Sequence, residues 1–325
     1  MRTHGESPTR VIGEKARRAP PNNLAQEVVH ARQSTIRHTA AMNSLSDRRG
    51  DLIARGNTSE VFSWSATTVI KVLRPDMPRA WAFLEAEITG LVRAAGFPVP
   101  AVDEVVDVDG LPGIVFERVD GASMWDHMLS SPNELRGLTR ALVDLQCDLH
   151  SSSAPDGLPE LRARLMGNVR RADALTEEDR RAAVDLVGSL PSGTALCHGD
   201  MHPRNILMSS RGMVIIDWFD AAAGSPVADI ARSSLLMRPQ QAGEMEMHHL
   251  HGASIEALTL LHSEFMKQIL SRRSIDAQDL VAWEAAVAAA RLAEPVPKAE
   301  LLRIWKAWRQ GRSVPDVSVL AAPAG

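Results

Sequence analysis

The chain has 325 residues, of which 45% are hydrophobic and 23% are charged, and its formal net charge is −4. This length and composition allow one large or two moderate globular domains with a substantial core. The acidic balance and the lack of a basic patch argue against a nucleic-acid partner. No apolar run approaches the roughly 20 residues that span a bilayer, so we expect no membrane partner either.

Residues 1–46 are predicted to form a disordered extension. They mix Arg, Pro, Asn, Ser and His, as in "RRAPPNN", without helical or strand periodicity. A basic arm or targeting segment is the alternative, and Met42 is an alternative start. The segment has no apolar stretch typical of a secretory signal. Because Cys147 and Cys197 cannot form a disulfide framework, we expect a reducing, cytoplasmic location.

From Asp51 the pattern predicts a small β-rich lobe. "DLIARGNTSEVFSW" and "TTVIKVLR" indicate two strands joined by a tight turn. An apolar stripe from Trp81 to Val92, spaced near 3.6 residues, predicts a helix that "GFPVP" ends. "AVDEVVDVDGLPGIVFERV" predicts a hairpin with Asp109 and Gly110 in its turn.

After Gly121 the chain is predicted to be mostly helical. Leucines repeat at alternating spacings of three and four from Leu135 to Leu149, which indicates one long amphipathic helix. "TALCHGD", "NILM" and "GMVIIDW" predict short strands around loops, and helices follow Asp229. We therefore predict an N-lobe at 47–118, a hinge from Glu117 to Gly121, a C-lobe at 119–312 and a loose tail at 313–325.

The stretch "CHGDMHPRNIL" concentrates chemically active side chains and allows more than one interpretation. His198, Asp200 and His202 alternate, so on a strand they would share a face and could bind the metal of a hydrolase. Pro203 favours a loop instead. A nucleophile pair of Cys197 and His198 is disfavoured because adjacent strand residues point to opposite faces.

A third interpretation uses the spacing His198-x-Asp200-x4-Asn205, which matches the catalytic loop of protein kinases. A carboxylate is needed there to orient the attacking hydroxyl, and a carboxamide oxygen can hold Mg²⁺. Asp217 follows the apolar strand "VII" and would supply a second oxygen ligand for Mg²⁺.

Lys71, in the middle of "VIKVL", is the candidate for phosphate binding, although a solvated strand lysine is the simpler interpretation. Such a lysine needs an acidic partner on the following helix. Glu85 lies beside the apolar stripe of that helix and is the predicted partner, with Glu87 as the alternative.

Together these motifs resemble the aminoglycoside phosphotransferase family of small-molecule kinases. The resemblance extends from about Asp51 to Arg309 and includes "ARGNTSEVFSW", "VIKVL", "EAEITGLVRAAGFPVP", "IVFERVDG", "CHGDMHPRNIL", "VIIDWFDAAAGSPVADIAR" and "WEAAVAAARLAE" in family order. It implies an α+β, protein-kinase-like fold with two lobes, a small β-rich N-lobe and a larger helical C-lobe.

The resemblance also implies roles for the catalytic residues. Asp200 would be the catalytic base, and Asn205 and Asp217 would be the Mg²⁺ ligands. His198 would brace the catalytic loop, and Asp229 would bind that loop from behind.

For the nucleotide, the resemblance implies that Lys71 binds the α- and β-phosphates of ATP and is held by Glu85. Ser59 would reach a phosphate, and adenine would lie against the hinge backbone from Glu117 to Val119.

The sequence departs from the family pattern at two positions near the site. The nucleotide loop has a single glycine, Gly56, and Arg204 replaces a glycine that is common in the catalytic loop. Arg204 is a candidate substrate contact because it departs from the family's glycine, and Asp220 is one because a cationic substrate requires carboxylates. Six acidic residues of the C-terminal helices are further candidates, although most are expected on a solvated face: Glu256, Glu264, Asp276, Asp279, Glu284 and Glu294.

The sequence therefore predicts an ATP- and Mg²⁺-dependent kinase of a hydroxyl group on a small molecule. The acceptor would be an aminoglycoside or another antibiotic, or an amino alcohol or sugar metabolite. A non-catalytic nucleotide-binding module and the metal hydrolase are the alternatives. The cluster of His248, His249 and His251 is expected to be a polar loop or helix cap near the substrate pocket, with metal binding as the alternative.

Overall fold

The computed structural model of the protein describes residues 49–239 and 254–312. The predictions for residues 1–46, for the histidine cluster at 248–251 and for the tail at 313–325 lie outside the described residues. Within them an antiparallel sheet precedes a larger, mainly helical part, so the predicted α+β class is confirmed. The lobe boundary between residues 118 and 119 stays a prediction.

A five-stranded antiparallel sheet with the order β1-β2-β3-β5-β4 forms the first part. The prediction of one strand across residues 51–64 was wrong, because the chain reverses between Arg55 and Ser59 and makes two paired strands. Gly56 and Asn57 favour such a turn. The strands are β1 (Leu52–Arg55), β2 (Ser59–Ser63), β3 (Thr68–Leu73), β4 (Val102–Val108) and β5 (Leu111–Glu117).

The hairpin between β4 and β5 is confirmed, and its turn explains the choice of residues. Asp109 and Gly110 have φ values of 53° and 83°. A two-residue turn with both φ values positive matches the twist of antiparallel strands and favours Asp-Gly. This hairpin places Glu117, the last residue of β5, at the edge of the larger part.

Helix α1 (Ala80–Ala94) packs against this sheet. Its buried residues include Trp81, Leu84, Ile88 and Val92, as the apolar stripe predicts. Glu85 is buried on the same helix, which a carboxylate tolerates only with a partner.

The larger part contains eight further helices among the described residues. The leucine-striped helix is confirmed as α3. The helices are α2 (Met124–Ser130), α3 (Leu135–Ser151), α4 (Leu161–Arg170), α5 (Glu177–Ser189), α6 (Pro226–Met237), α7 (Ile255–Arg272), α8 (Ala277–Arg291) and α9 (Ala299–Arg309).

Short strands position the loops between these helices. The three predicted strands are present, and two three-residue strands of small side chains complete their sheets: β6 pairs with β8, β8 with β9, and β7 with β10. Their bounds are β6 (Gly121–Ser123), β7 (Ala195–Cys197), β8 (Ile206–Ser209), β9 (Gly212–Ile215) and β10 (Ala222–Gly224).

The main hydrophobic core lies in the larger part. Trp125, Trp218, Trp283 and Trp305 are its largest fully buried side chains. The alanine-rich α8 is buried from residue 285 to 290, which lets α6 and α9 pack closely against it. In the ranges 49–239 and 254–312, no helix has the length and apolar character needed to cross a membrane.

Gly121 lies just after the five-stranded sheet, where the chain enters the larger part, and its close packing against β8 can be tested by substitution. A Cβ at this position would lie 2.2 Å from the carbonyl oxygen of Met208, across the β6–β8 pair. We expect Gly121→Ala to lower the free energy of unfolding by about 1–3 kcal/mol, because the backbone of both strands must move. Urea denaturation measures this change.

Gly90→Ala is the matched control, because a Cβ there meets no atom within 4 Å and Gly90 lies within α1. We expect it to raise stability by up to about 1 kcal/mol, since alanine is the better helix former. Equal effects of the two substitutions would contradict this account of the junction.

Candidate active site

Lys71 lies between two carboxylates at the junction of the sheet and the larger part. Its Nζ donates to Glu85 Oε1 at 2.6 Å and to Asp217 Oδ1 at 2.9 Å. Ile70 and Val72 are buried on the opposite face of β3, so strand alternation turns Lys71 towards this junction. Glu85, rather than Glu87, is the residue that contacts the lysine.

Burial and the neighbouring charges shift the pKa values of Lys71 and Glu85. Burial by itself lowers the pKa of Lys71, but Asp217 and Glu85 outweigh that effect and raise it, so the ammonium stays charged. Burial raises the pKa of Glu85 to about 7, although the adjacent Lys71 opposes the rise. Asp217 is the accessible member, with 43% of its side chain exposed, against 12% for Lys71 and 4% for Glu85.

Asp200 lies in the loop between β7 and β8, and donors approach both oxygens of its carboxylate. Asn205 Nδ2 donates to the Asp200 backbone oxygen at 2.9 Å and to Oδ2 at 3.0 Å. His202 Nε2 lies 3.5 Å from Oδ2, and Arg232 lies 3.5 Å from Oδ1. Because Asn205 uses its amide nitrogen on Asp200, its amide oxygen is the atom that could bind a cation.

Asp217 lies two residues after the end of β9 and has an uncommon backbone conformation. Its φ is 64° and its ψ is 63°, in the left-handed region that few residues other than glycine adopt. The carboxylate of Asp217 and the amide oxygen of Asn205 are hard oxygen donors of the kind that Mg²⁺ prefers. The residues at this site therefore fit a magnesium ion.

Asp229, on α6, binds the backbone of the loop between β7 and β8. Its carboxylate accepts from the backbone N–H of Gly199 at 2.7 Å and of His198 at 3.4 Å. It also contacts His150 Nε2 at 2.8 Å and accepts from Gln146 Nε2 at 3.0 Å. Burial alone would raise the pKa of Asp229, but these hydrogen bonds lower it to about 2, so the brace is a carboxylate.

Arg232 lies one helical turn after Asp229 and binds the other side of the same peptide group. Its Nε donates to the carbonyl oxygen of Gly199. Gly199 has a φ of 77°, and a Cβ there would lie 2.2 Å from the carbonyl oxygen of Asp220. Side chains of helix α6 thus hydrogen-bond both the N–H and the C=O of Gly199. Only glycine fits at this position.

His198 is a buried, neutral brace. Its Nδ1 accepts from the Asp200 N–H at 3.1 Å, so its Nε2 carries the proton and donates to the Ile216 oxygen at 3.1 Å. Burial lowers its pKa despite the nearby Asp229. Both ring nitrogens are therefore used, and His198 has none available for the metal site predicted from His198, Asp200 and His202.

Ser59, Glu117 and Val119, the other predicted nucleotide contacts, lie in ordinary strand and loop positions. Ser59 is buried at the start of β2, directly after the turn that follows β1. The N–H of Glu117 donates to Ala101 at 2.8 Å, its carboxylate pairs with Arg211 across the junction, and Val119 follows two residues later. The phosphate and adenine roles of these residues stay predictions.

Sequence reasoning missed two arginines that contact Asp220. Arg232 and Arg164 were missed, although Arg232 follows Asp229 at helical spacing, a detectable signal. Two of the six candidate acidic residues do not lie on a solvated face. Glu294 lies 2.5 Å from Arg232, and Glu284 is buried against Arg238 at 2.7 Å.

The sheet, the helical part and this arrangement of carboxylates define a protein of the kinase-like class. The chain belongs to the phosphotransferase enzyme family, whose family model matches residues 52–258. It is 24% identical over 203 residues to the uncharacterised protein YcbJ of Bacillus subtilis (strain 168). That match covers 57% of this chain and 66% of YcbJ, just under two thirds of the relative's length.

Solved structures support the fold. Aminoglycoside phosphotransferase APH(3'')-Id of Streptomyces rimosus, in complex with ADP and streptomycin, has a TM-score of 0.51 and 16% identity, covering 84% of this chain and 98% of that one. An aminoglycoside-3'-phosphotransferase of type VIII has a TM-score of 0.50 and 16% identity, covering 84% and 100%. The predicted two-lobe, kinase-like fold is thereby confirmed.

The depressed pKa of Asp229 predicts a pH-dependent stability. Its folded-state pKa of about 2 lies below the ordinary value of 3.8, so its contribution of about 2 kcal/mol is fully present above pH 4 and is lost as the pH falls towards 2. We expect Asp229→Asn to lower the free energy of unfolding by about this amount at pH 7.

Urea denaturation of both proteins between pH 7 and 2.5 provides the measurement, with Asp185→Asn on the exposed face of α5 as the control. The difference between wild type and Asp229→Asn should shrink below pH 4. A difference that does not change with pH would contradict the charged brace.

Proposed function

We propose that this protein transfers the γ-phosphoryl group of ATP, with Mg²⁺, to a hydroxyl group of a small molecule. The observation that carries the proposal is the contact of Lys71 with both Glu85 and Asp217. Family membership supplies the reaction class, and these contacts supply the groups that the reaction needs.

Lys71 would bind the α- and β-phosphates of ATP. Glu85 holds the ammonium in place, and burial makes its contact with phosphate oxygens strong. Ser59 would contribute a hydroxyl or N–H near the phosphates, and the backbone from Glu117 to Val119 would contact adenine. The ADP bound in the Streptomyces rimosus enzyme supports a nucleotide in this fold.

Asn205 and Asp217 would hold Mg²⁺ through the amide oxygen and the carboxylate. When bound, the ion supplies positive charge that offsets the charge of the nucleotide's phosphates. Asp217 is the more exposed ligand, and Asn205 is fixed by its hydrogen bonds to Asp200.

Asp200 would accept a hydrogen bond from the acceptor hydroxyl and take its proton as the phosphoryl group is transferred. The carboxylate is 19% exposed, and the contacts from Asn205, His202 and Arg232 fix its orientation. In phosphoryl transfer, positioning and electrostatics supply most of the rate acceleration. A fixed carboxylate suits that role.

The two competing functions have weaker support. A non-catalytic nucleotide-binding module would not need Asp200 held by three donors. A hydrolase with a metal at His198, Asp200 and His202 lacks an available nitrogen on His198. Stoichiometric zinc in the purified protein would favour the hydrolase.

The acceptor belongs to one of the classes predicted from the sequence: an antibiotic such as an aminoglycoside, an amino alcohol or a sugar. The streptomycin bound in the Streptomyces rimosus enzyme supports a small hydroxylated acceptor. We also propose the lobe division at residues 47–118 and 119–312, and a cytoplasmic location on the basis of the two free cysteines.

Substitution of the two key carboxylates tests the proposal. We expect Asp200→Ala and Asp217→Ala each to lower kcat by at least about 100-fold, because they remove the proton acceptor and a metal ligand respectively. Asp185→Ala, an exposed aspartate on α5, should retain full activity.

The assay is ADP release from ATP and Mg²⁺ in the presence of antibiotics, amino alcohols and sugars, with Asp200→Ala protein as the blank. Calorimetry measures binding of ATP with and without Mg²⁺. Equal turnover by wild type and Asp200→Ala, or no binding of ATP, would contradict the proposed function.

A further inference from the structure

Three carboxylates lie around Arg232, and each of them has an arginine partner. Arg232 lies 3.5 Å from Asp200 Oδ1 and 3.3 Å from Asp220 Oδ2, and its Nη1 donates to Glu294 at 2.5 Å. Arg291 Nε donates to the other oxygen of Glu294 at 3.1 Å.

Arg164, on α4, adds a third guanidinium from the opposite side of Asp220. Its Nη1 lies 3.6 Å from Asp220 Oδ1, and only 7% of its side chain is exposed. This Nη1 has no hydrogen-bond partner among residues 49–239 and 254–312. Asp220 therefore lies between two arginines and still has 35% of its side chain exposed.

The formal charges of the three carboxylates and three arginines described above sum to zero. Asp200, Asp220 and Glu294 carry three negative charges, and Arg164, Arg232 and Arg291 carry three positive ones. Burial raises the pKa of Asp220 even though Arg232 and Arg164 oppose the rise, so its charge depends on those arginines.

A cationic acceptor gains little from such a cluster. An ammonium group near Asp220 would meet a carboxylate whose charge is already matched, and it would be repelled by Arg164 and Arg232. An anion would likewise be repelled by Asp220 and Glu294. A neutral hydroxyl can donate to the partly exposed carboxylate of Asp220 without altering the balance of charge.

We propose that the acceptor is an uncharged compound rich in hydroxyl groups, of the sugar or polyol class, and that Arg164 determines this specificity by neutralising Asp220. The inference rests on the proposed function and narrows its substrate class. It differs from the chemistry of streptomycin, a cationic ligand named for the Streptomyces rimosus enzyme.

Matched acceptors provide the first test. ADP release is compared for glucose, glucosamine and glucuronate, which are uncharged, cationic and anionic respectively. A wider panel adds uncharged polyols, cationic amino alcohols and aminoglycosides, and anionic hydroxy acids. We expect the highest kcat/KM with an uncharged acceptor. A cationic or anionic compound as the best acceptor would overturn the inference.

Two variants test the role of Arg164. Arg164→Met leaves Asp220 with one arginine fewer and should increase the affinity for streptomycin, used as a polycation probe with Mg²⁺ and ADP, by about tenfold or more. The double variant Arg164→Met with Asp220→Asn restores neutrality and should return the affinity to the wild-type value. An unchanged affinity in Arg164→Met would overturn the role of Arg164.

Asp220→Asn alone keeps the test decisive if Arg164→Met does not fold, because Asp220 is partly exposed. It leaves an excess of positive charge and should raise turnover or binding of glucuronate relative to glucose. An unchanged ratio overturns the inference.

The outcomes separate the inference from the proposed function. A wild-type protein that binds ATP with Mg²⁺ and prefers a cationic acceptor retains the function and refutes the inference. A protein that binds no ATP refutes both. If ATP binds and no panel compound is phosphorylated, strong streptomycin binding by wild type refutes the inference, and weak binding that rises in Arg164→Met supports it.

Discussion

A buried ammonium group requires counter-charges, and Lys71 finds them on two separate elements. Glu85 comes from the helix that covers the sheet, and Asp217 comes from the end of a strand in the larger part. The three side chains can meet only if the sheet, helix α1 and the loop after β9 are docked together. The proposed nucleotide site, and its position beside Asp200, depend on this set of contacts.

Helix α6 imposes the second constraint, on the loop that carries Asp200. Asp229 and Arg232 hold the N–H and the C=O of Gly199, and Arg232 also reaches Asp200. Because one rigid helix carries both groups, the direction of the Asp200 carboxylate is coupled to the core around α8. Arg232 also pairs with Asp220 and Glu294, beside the Arg164 to which we assign the acceptor specificity.

Sequence reasoning predicted the elements and residues whose signals are local. The spacing from His198 to Asn205, the central lysine of β3 and the burial of Glu85 beside an apolar stripe all follow from neighbours within a few positions. The turn within residues 51–64 was missed because one glycine and one asparagine interrupt a strand-like pattern only weakly. Arg164 could not be placed, since its contact with Asp220 joins residues far apart in the chain. Glu284 and Glu294 look like solvated helix residues until their arginine partners are known.

We propose that Asn205 and Asp217 hold the metal while Lys71 binds the nucleotide. A crystal structure with Mg²⁺ and a non-hydrolysable ATP analogue tests this arrangement. We expect a cation bound by the Asn205 amide oxygen and the Asp217 carboxylate, with the Lys71 ammonium in contact with phosphate and Glu85. A nucleotide bound elsewhere, or a cation held by His198 or His202, would contradict it.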